Sequence, residues 1–184
     1  MIECRMRIPH LAGIDEFVRW EEQQEDRYEF AQGEISLLPG AMPRQEIVLL
    51  NVLFALRAGL GATHVYGSGL KLRMEQSIRY PDVLVSFDPR DHLDVPHLRF
   101  PTLLVEVLSK STSATDRGAK ADEYRTIETL REYVLIDSRK RWAQTIRRAG
   151  EDWIVSLPIT GGSVRFESVG LSMTCDEIYA GAER

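Results

Sequence analysis

Apolar side chains at Ile14, Phe17 and Val18 share one side of a helical period, which predicts a short helix over residues 14–25. The triplet Tyr28-Glu29-Phe30 and residues 34–38 predict two short strands, with Ala31-Gln32-Gly33 as the hairpin turn between them. Residues 43–60 carry apolar side chains at 47, 48, 50, 52, 53, 54 and 56, dense enough for a largely buried helix. Pro43 suits its first turn, and Gly59 or Gly61 its end. Strands are predicted at 63–68, 70–74, 83–87 and 102–108, the last two separated by a polar, proline-marked loop at 88–101. A helix over 114–127 follows, with Ser113 or Thr115 as its cap. Further strands fall at 132–136, 142–147, 153–157 and 164–166, joined by turns at Gly150 and Gly161-Gly162. Thr174-x-x-Glu177 is a capping box that opens a short C-terminal helix. Strands and helices intermix without a regular βαβα rhythm, and neither a repeat nor a linker interrupts them. One α/β domain over 1–184, a mixed central sheet flanked by helices, is the expected architecture.

Composition narrows the class. With 184 residues, 43% hydrophobic and 28% charged, the chain can bury a sizeable core, and disordered or low-complexity readings are excluded. Its 23 basic and 28 acidic residues give a net charge of −5, which excludes a histone-like cationic coat but not a local basic patch. Two cysteines, Cys4 and Cys175, make no disulfide framework and suggest a reduced, cytoplasmic setting. The longest nearly apolar run, 47–56, is broken by Asn51 and too short to span a bilayer; the first five residues show no secretory apolar region. The expectation is a cytoplasmic protein without a membrane partner.

The chemistry concentrates around one carboxylate. Leu103-Leu104-Val105-Glu106-Val107-Leu108 is apolar on both alternating faces, the mark of a strand inside a sheet, with Glu106 on the face of Leu104 and Leu108. A carboxylate there is costly unless paired, coordinated or at the mouth of a cleft. Asp82 follows Pro81 at the entrance of the apolar run Val83-Leu84-Val85. Alone it reads as turn chemistry, but two acids on adjacent buried strands suit Mg²⁺, which takes one or two carboxylates and keeps its waters. Downstream, Asp116, Lys120 and Tyr124 recur every four residues on one helix face. They are either an exposed Asp–Lys pair with an anchoring tyrosine, or they bring Lys120 beside the two acids, where it would offset phosphate charge and orient water.

Tyr28-Glu29, Gly33-Glu34-Ile35, Tyr80-Pro81-Asp82, Leu104 to Ser109, Asp116-x-x-x-Lys120-x-x-x-Tyr124 and Glu132 to Asp137, in that order, resemble the Uma-type restriction endonucleases. These are small stand-alone members of the PD-(D/E)XK nuclease superfamily, and the resemblance runs from about residue 12 to the C-terminus. It implies a restriction-endonuclease-like fold and Mg²⁺-dependent hydrolysis of nucleic-acid phosphodiesters, with Mn²⁺ able to substitute. Asp82 and Glu106 take the places of the two acids and would hold the metal with the backbone carbonyl of Val107. The superfamily lysine would fall at Leu108, so the resemblance points to Lys120 on the following helix, with Lys110 as the competitor. Glu34 matches the family's acid on the second strand, and Gln45 stands where the family often has histidine. Double-stranded DNA as substrate, a 5′-phosphate product and a homodimer making two cuts complete the implied picture. Its rival is a nucleic-acid-binding or interaction protein that keeps the fold without cutting, a reading the charge of −5 favours.

Other signals carry less. Asp88, Asp91, His92, Asp94 and His97 lack EF-hand spacing, and Pro89 and Pro96 break any helix that would align the histidines, so a solvated loop is expected. Gly67-Ser68-Gly69 reads as a tight turn. Arg139-Lys140-Arg141 and Arg147-Arg148 bracket a hairpin and read equally as a solvated face or a phosphate-contacting patch.

Overall fold

The computed structural model describes Leu11, residues 13–91, residues 94–109 and residues 116–182. Cys4, His92, Lys110 and both candidate caps, Ser113 and Thr115, lie outside the described residues. The chain opens with α1 (Ile14–Glu21), then the hairpin β1 (Tyr28–Ala31) and β2 (Glu34–Leu37). Gln32 and Gly33 both take positive φ, 53° and 84°, while Ala31 pairs with Glu34. A two-residue turn of this hand matches the strands' own twist, so the hairpin expected at 31–33 forms there.

α2 (Pro43–Leu60) starts on Pro43 as expected and ends at Gly61. Next come β3 (Val65–Gly67), β4 (Leu72–Arg73), β5 (Ser77–Arg79), β6 (Val83–Val85) and β7 (Leu103–Leu108). The C-terminal half comprises α3 (Ala119–Arg125), β8 (Glu132–Asp137), β9 (Ala143–Ala149), β10 (Asp152–Val155), β11 (Ser163–Phe166), β12 (Leu171–Thr174) and α4 (Cys175–Ile178). At the start of α4, Thr174 Oγ1 accepts the Glu177 N–H at 3.2 Å while Glu177 Oε2 accepts the Thr174 N–H at 2.7 Å, the reciprocal box expected there.

The strands do not form a single sheet. Six form a mixed sheet in the order β10-β9-β8-β7-β6-β3, with β7 and β8 parallel. Four more form an antiparallel sheet, β2-β1-β5-β4, and β11 pairs with β12 alone. β5 was not expected: three residues between two turns show no period long enough to read. Its pairing with β1 and β4 draws the expected 70–74 strand into the second sheet, trimmed to Leu72–Arg73.

Alternation along β6 and β7 sorts the core. Val83, Val85, Leu103, Val105 and Val107 pack under Val48, Val52 and Leu56 of α2. Leu84, Leu104 and Leu108 face the other way, against Ala121 and Tyr124 of α3 and Leu72 of β4. Phe17 of α1 closes a third cluster with Phe30, Ile78 and Tyr80 on the smaller sheet. Glu106, sharing the face of Leu104 and Leu108, therefore points at α3 and the second sheet. No helix among the described residues is long and apolar enough to cross a membrane.

Candidate functional site

β6 and β7 pair antiparallel with Val83 opposite Val105 and Leu84 opposite Leu104. Continuing that register by one residue sets Asp82 opposite Glu106. The backbone confirms the approach: the Val107 N–H donates to Asp82 Oδ2 at 2.6 Å. Pro81 cannot donate to a ladder, so the strand pairing begins only after it and leaves Asp82 turned toward the cleft. Glu106 is 3% exposed, and its Oε1 accepts the Tyr124 hydroxyl at 2.9 Å.

Lys120 completes the cluster. Its Nζ lies 3.1 Å from Glu29 Oε1, 3.3 Å from Glu106 Oε1 and 3.3 Å from Asp116 Oδ1. All four residues are buried. The reading of Asp116 and Lys120 as an exposed pair is thereby set aside: the helix face at four-residue spacing is turned inward, with Asp116 in the helical turn just before α3. Burial by itself would lower the lysine's pKa, but the carboxylates of Glu106, Glu29 and Asp116 outweigh it and hold the ammonium well above its ordinary range. The three carboxylates thus hold Lys120 as a cation.

The acids respond in the opposite sense. Burial pushes the Asp82 carboxyl up to about 7, against the pull of the Val107 N–H and of Lys120, with the neighbouring charges of Asp116 and Glu46 adding to the rise. Burial likewise raises Glu106 well above the usual carboxylate range, and Lys120 opposes this. Among the described residues, Glu29, Asp82, Glu106, Asp116 and Glu123 lie around two buried cations, Lys120 and Arg79, with Arg27 farther out on the same cleft. Negative charge is in surplus, and the buried Asp116 Oδ1 has the Lys120 ammonium, shared with two other carboxylates, 3.3 Å away. A raised pair of buried acids, Asp82 and Glu106, is an arrangement that a divalent cation would relieve.

The donors suit a hard cation: two carboxylates, Asp82 and Glu106, with the Val107 carbonyl beside them. Among the described residues no three His, Cys, Asp or Glu side chains are disposed to enclose an ion. The Val107 carbonyl also accepts the Gln45 side-chain amide at 2.9 Å. The cleft over these groups is lined by Asp82, Glu106, Asp116 and Lys120 below, and by Arg27, Gln45, Glu46 and residues 38–42 around the mouth.

Asp82, Glu106, Val107 and Lys120 are thus brought together. Glu34 is not: it is exposed at the start of β2, opposite Ala31 at the hairpin and outside the cleft. The acid that the hairpin does contribute is Glu29, which pairs with Lys120 and with Arg79 (Nη1 to Oε2, 2.9 Å). Arg79 in turn donates from Nε and Nη2 to both oxygens of Glu123, at 2.8 and 2.6 Å. Neither Glu29 nor Arg79 was assigned a role from the sequence. Glu29 sat within a readable strand, but Arg79 lies on β5, which the sequence pattern does not reveal.

The basic hairpin is engaged within the chain. Arg139 is held by Asp137 and Arg141 by Asp176, and Arg147 pairs with Glu132 and Glu167. Arg148 donates to the carbonyls of Leu130, Arg125 and Ile127 and lies over the Trp153 ring. For Arg147 and Arg148 this favours the structural reading over a phosphate patch. In the 88–101 loop, Asp91 accepts from Ser86 Oγ and from the N–H groups of Arg99 and Phe100, so it pins the loop. Leu70 closes the Gly67-Ser68-Gly69 turn by donating to the Gly67 carbonyl.

Comparison with known proteins places this geometry. The chain is 32% identical to the uncharacterized protein slr1290 of Synechocystis sp. (strain ATCC 27184 / PCC 6803 / Kazusa), over 91% of this chain and 90% of that one. It is 31% identical to a second uncharacterized protein of the same organism, sll1609, over 77% of this chain and 84% of the other. In fold it is similar to the crystal structure of a "putative nuclease belonging to DUF820" from Anabaena variabilis ATCC 29413. That likeness has a TM-score of 0.73 at 15% identity, covering 91% of this chain and 97% of that one. Residues 14–169 match the family described as "Uma2: Putative restriction endonuclease", a span that holds both strand acids and the lysine helix, and the chain belongs to that family.

Proposed function

We propose that this protein is a divalent-metal-dependent endonuclease that hydrolyses phosphodiester bonds of double-stranded DNA, with Mg²⁺ as its ion and Mn²⁺ as a substitute. One observation carries the reading: Asp82, just before β6 and bonded to the Val107 N–H, lines the same cleft as Glu106 of β7, and the Lys120 ammonium is 3.3 Å from Glu106. Asp82, Glu106 and the Val107 carbonyl would hold the ion. When bound, it would supply charge to a phosphate oxygen and acidify water.

The remaining work falls to the chain itself. The Val107 N–H and the Tyr124 hydroxyl fix the orientation of Asp82 and Glu106. Lys120 presents a fixed positive charge toward the scissile phosphate and donates to the attacking water, offsetting the negative charge that grows in the transition state. The proton that the attacking water loses passes to solvent or to the phosphate. A homodimer would carry two such centres. The edge strand β10, with Ile154 and Val155 exposed and Leu157 just beyond, is the surface this reading assigns to a second copy.

A second reading, a binding protein that no longer cuts, is favoured by the Gln45 amide seated on the Val107 carbonyl. Plasmid nicking separates the two. The nuclease reading expects supercoiled plasmid to be nicked with Mg²⁺ or Mn²⁺, spared in chelator and spared by Asp82→Ala. Duplex binding without nicking by the wild-type protein would establish the second reading.

A further inference from the structure

We propose that Glu29 is a positioning residue for Lys120, held in place by a clamp of Arg79 and Glu123. The kinetic part of this inference rests on the nuclease reading above.

Of the three carboxylates around the Lys120 ammonium, Glu106 and Asp116 come from the centre's own strand and helix turn. Glu29 comes from the other sheet and makes the shortest contact, 3.1 Å. Its Oε1 is shared between Lys120 and the Tyr80 N–H (3.1 Å), and its Oε2 takes Arg79. Arg79 reaches on to Glu123, three residues beyond Lys120 on α3. Lys120, Glu29, Arg79 and Glu123 thus form a chain of ion pairs across β1, β5 and α3, both of whose ends lie on α3. The carboxylate of Glu29 would be satisfied by Arg79 and Tyr80 alone, so stapling the sheet does not require Oε1 to meet the lysine.

A lysine ammonium rides on a flexible four-carbon stem with three rotatable donors. Two acids on one side leave it free to swing toward either. The third contact, from a separate and rigid layer, fixes Nζ along the remaining direction. Misplacement of a catalytic group by about 1 Å costs on the order of 10²-fold in rate. The expected phenotype is therefore a lower kcat with substrate and metal binding intact.

Glu29→Gln tests this, since it keeps the shape and an acceptor for Tyr80 while removing the charge. The expected result is a cleavage rate at saturating Mn²⁺ reduced roughly 10- to 100-fold, with KM and calorimetric Mn²⁺ affinity within about twofold of wild type. The ¹³Cε resonance of Lys120 in lysine-labelled protein should move, and Glu29→Gln should cause no additional loss in a Lys120→Met background. Unchanged kcat, or an equal additional loss in that background, would overturn the proposal. Should Glu29→Gln not fold, Glu123→Gln opens the clamp from its more exposed end. A several-fold loss of kcat is then expected, and wild-type kcat overturns the proposal. If the wild-type protein cleaves nothing with any divalent ion, the nuclease reading falls. Glu29 is then judged on the Lys120 resonance alone, a shift sustaining its positioning role and no shift overturning it.

Discussion

The side-chain amide of Gln45 donates to the backbone carbonyl of Val107 at 2.9 Å, while the N–H of the same residue donates to Asp82 at 2.6 Å. Val107 is thus gripped on both sides, by α2 and by the acid at the strand entrance. The carbonyl assigned to the metal is already an acceptor, so an ion that uses it competes with an amide.

Removing the competitor should therefore strengthen metal binding. A net hydrogen bond is worth about 0.5–1.5 kcal/mol, so Gln45→Ala is expected to tighten Mn²⁺ binding by roughly 2- to 10-fold in calorimetry. Weaker binding in this variant would mean that Gln45 supports the ion instead.

Metal binding itself should register as stability. An ion that binds only the folded chain stabilises it by about 2.7 kcal/mol at a hundred times its Kd. Mn²⁺ should raise the Tm of the wild-type protein, and Glu106→Gln should erase the rise while leaving the fold intact. A full Mn²⁺ shift in this variant would remove Glu106 from the ligands.

Asp82 sets a pH dependence in the metal-free protein. Its folded pKa, about 7, lies above the ordinary value of 3.8. Between those values the native state holds a proton that the unfolded chain has released, so this group's contribution is fully present below about pH 4 and lost as pH rises through 7. Asp82→Asn, which cannot ionise, escapes that loss. In chelator, its Tm relative to wild type should climb between about pH 4 and 7 and then level off. A difference flat across this range would contradict the raised pKa.

The parts of the site that were legible from the sequence are those with a local signature. Glu106 stood out because a carboxylate inside an apolar strand must be explained by burial energetics. Lys120 was reachable because Asp116, Lys120 and Tyr124 repeat at helical spacing. Glu29 and Arg79 had no such signature. Tyr28-Glu29-Phe30 reads as ordinary strand alternation, and Glu29 finds Arg79 fifty residues away only through the β1–β5 pairing. Glu34 misled for the related reason that the hairpin turn sends it to solvent while Glu29, on the inner strand, is buried. The long helix α2 and the hairpin turns were readable from period and glycine placement, whereas the division into two sheets depends on which short strands pair.

The Arg148 side chain, bonded to three carbonyls and lying over Trp153, should matter for stability and not for nucleic acid. Arg148→Ala leaves those partly buried carbonyls without a charged donor, at a cost of about 2 kcal/mol, or about 4–8 °C in Tm. The salt dependence of duplex binding should not change. A flattened slope of log affinity against log salt would return Arg148 to a phosphate contact.

On the nuclease reading, Lys120 is the cation of a metal-dependent cutting centre, displaced from the strand position that Leu108 occupies. Lys120→Met keeps most of the side chain's volume while removing the charge that neutralises Glu29, Glu106 and Asp116, and saturating Mn²⁺ compensates part of that loss. The decisive measurement is the single-turnover rate of supercoiled-plasmid nicking at saturating Mn²⁺ for the wild-type protein and for Lys120→Met, with Mn²⁺ affinity measured on both. The expected result is nicking by the wild type, a rate lower by about 10²–10³ in the variant, and retained Mn²⁺ binding. Equal rates in the two proteins, or a wild type that leaves the plasmid supercoiled, would contradict it.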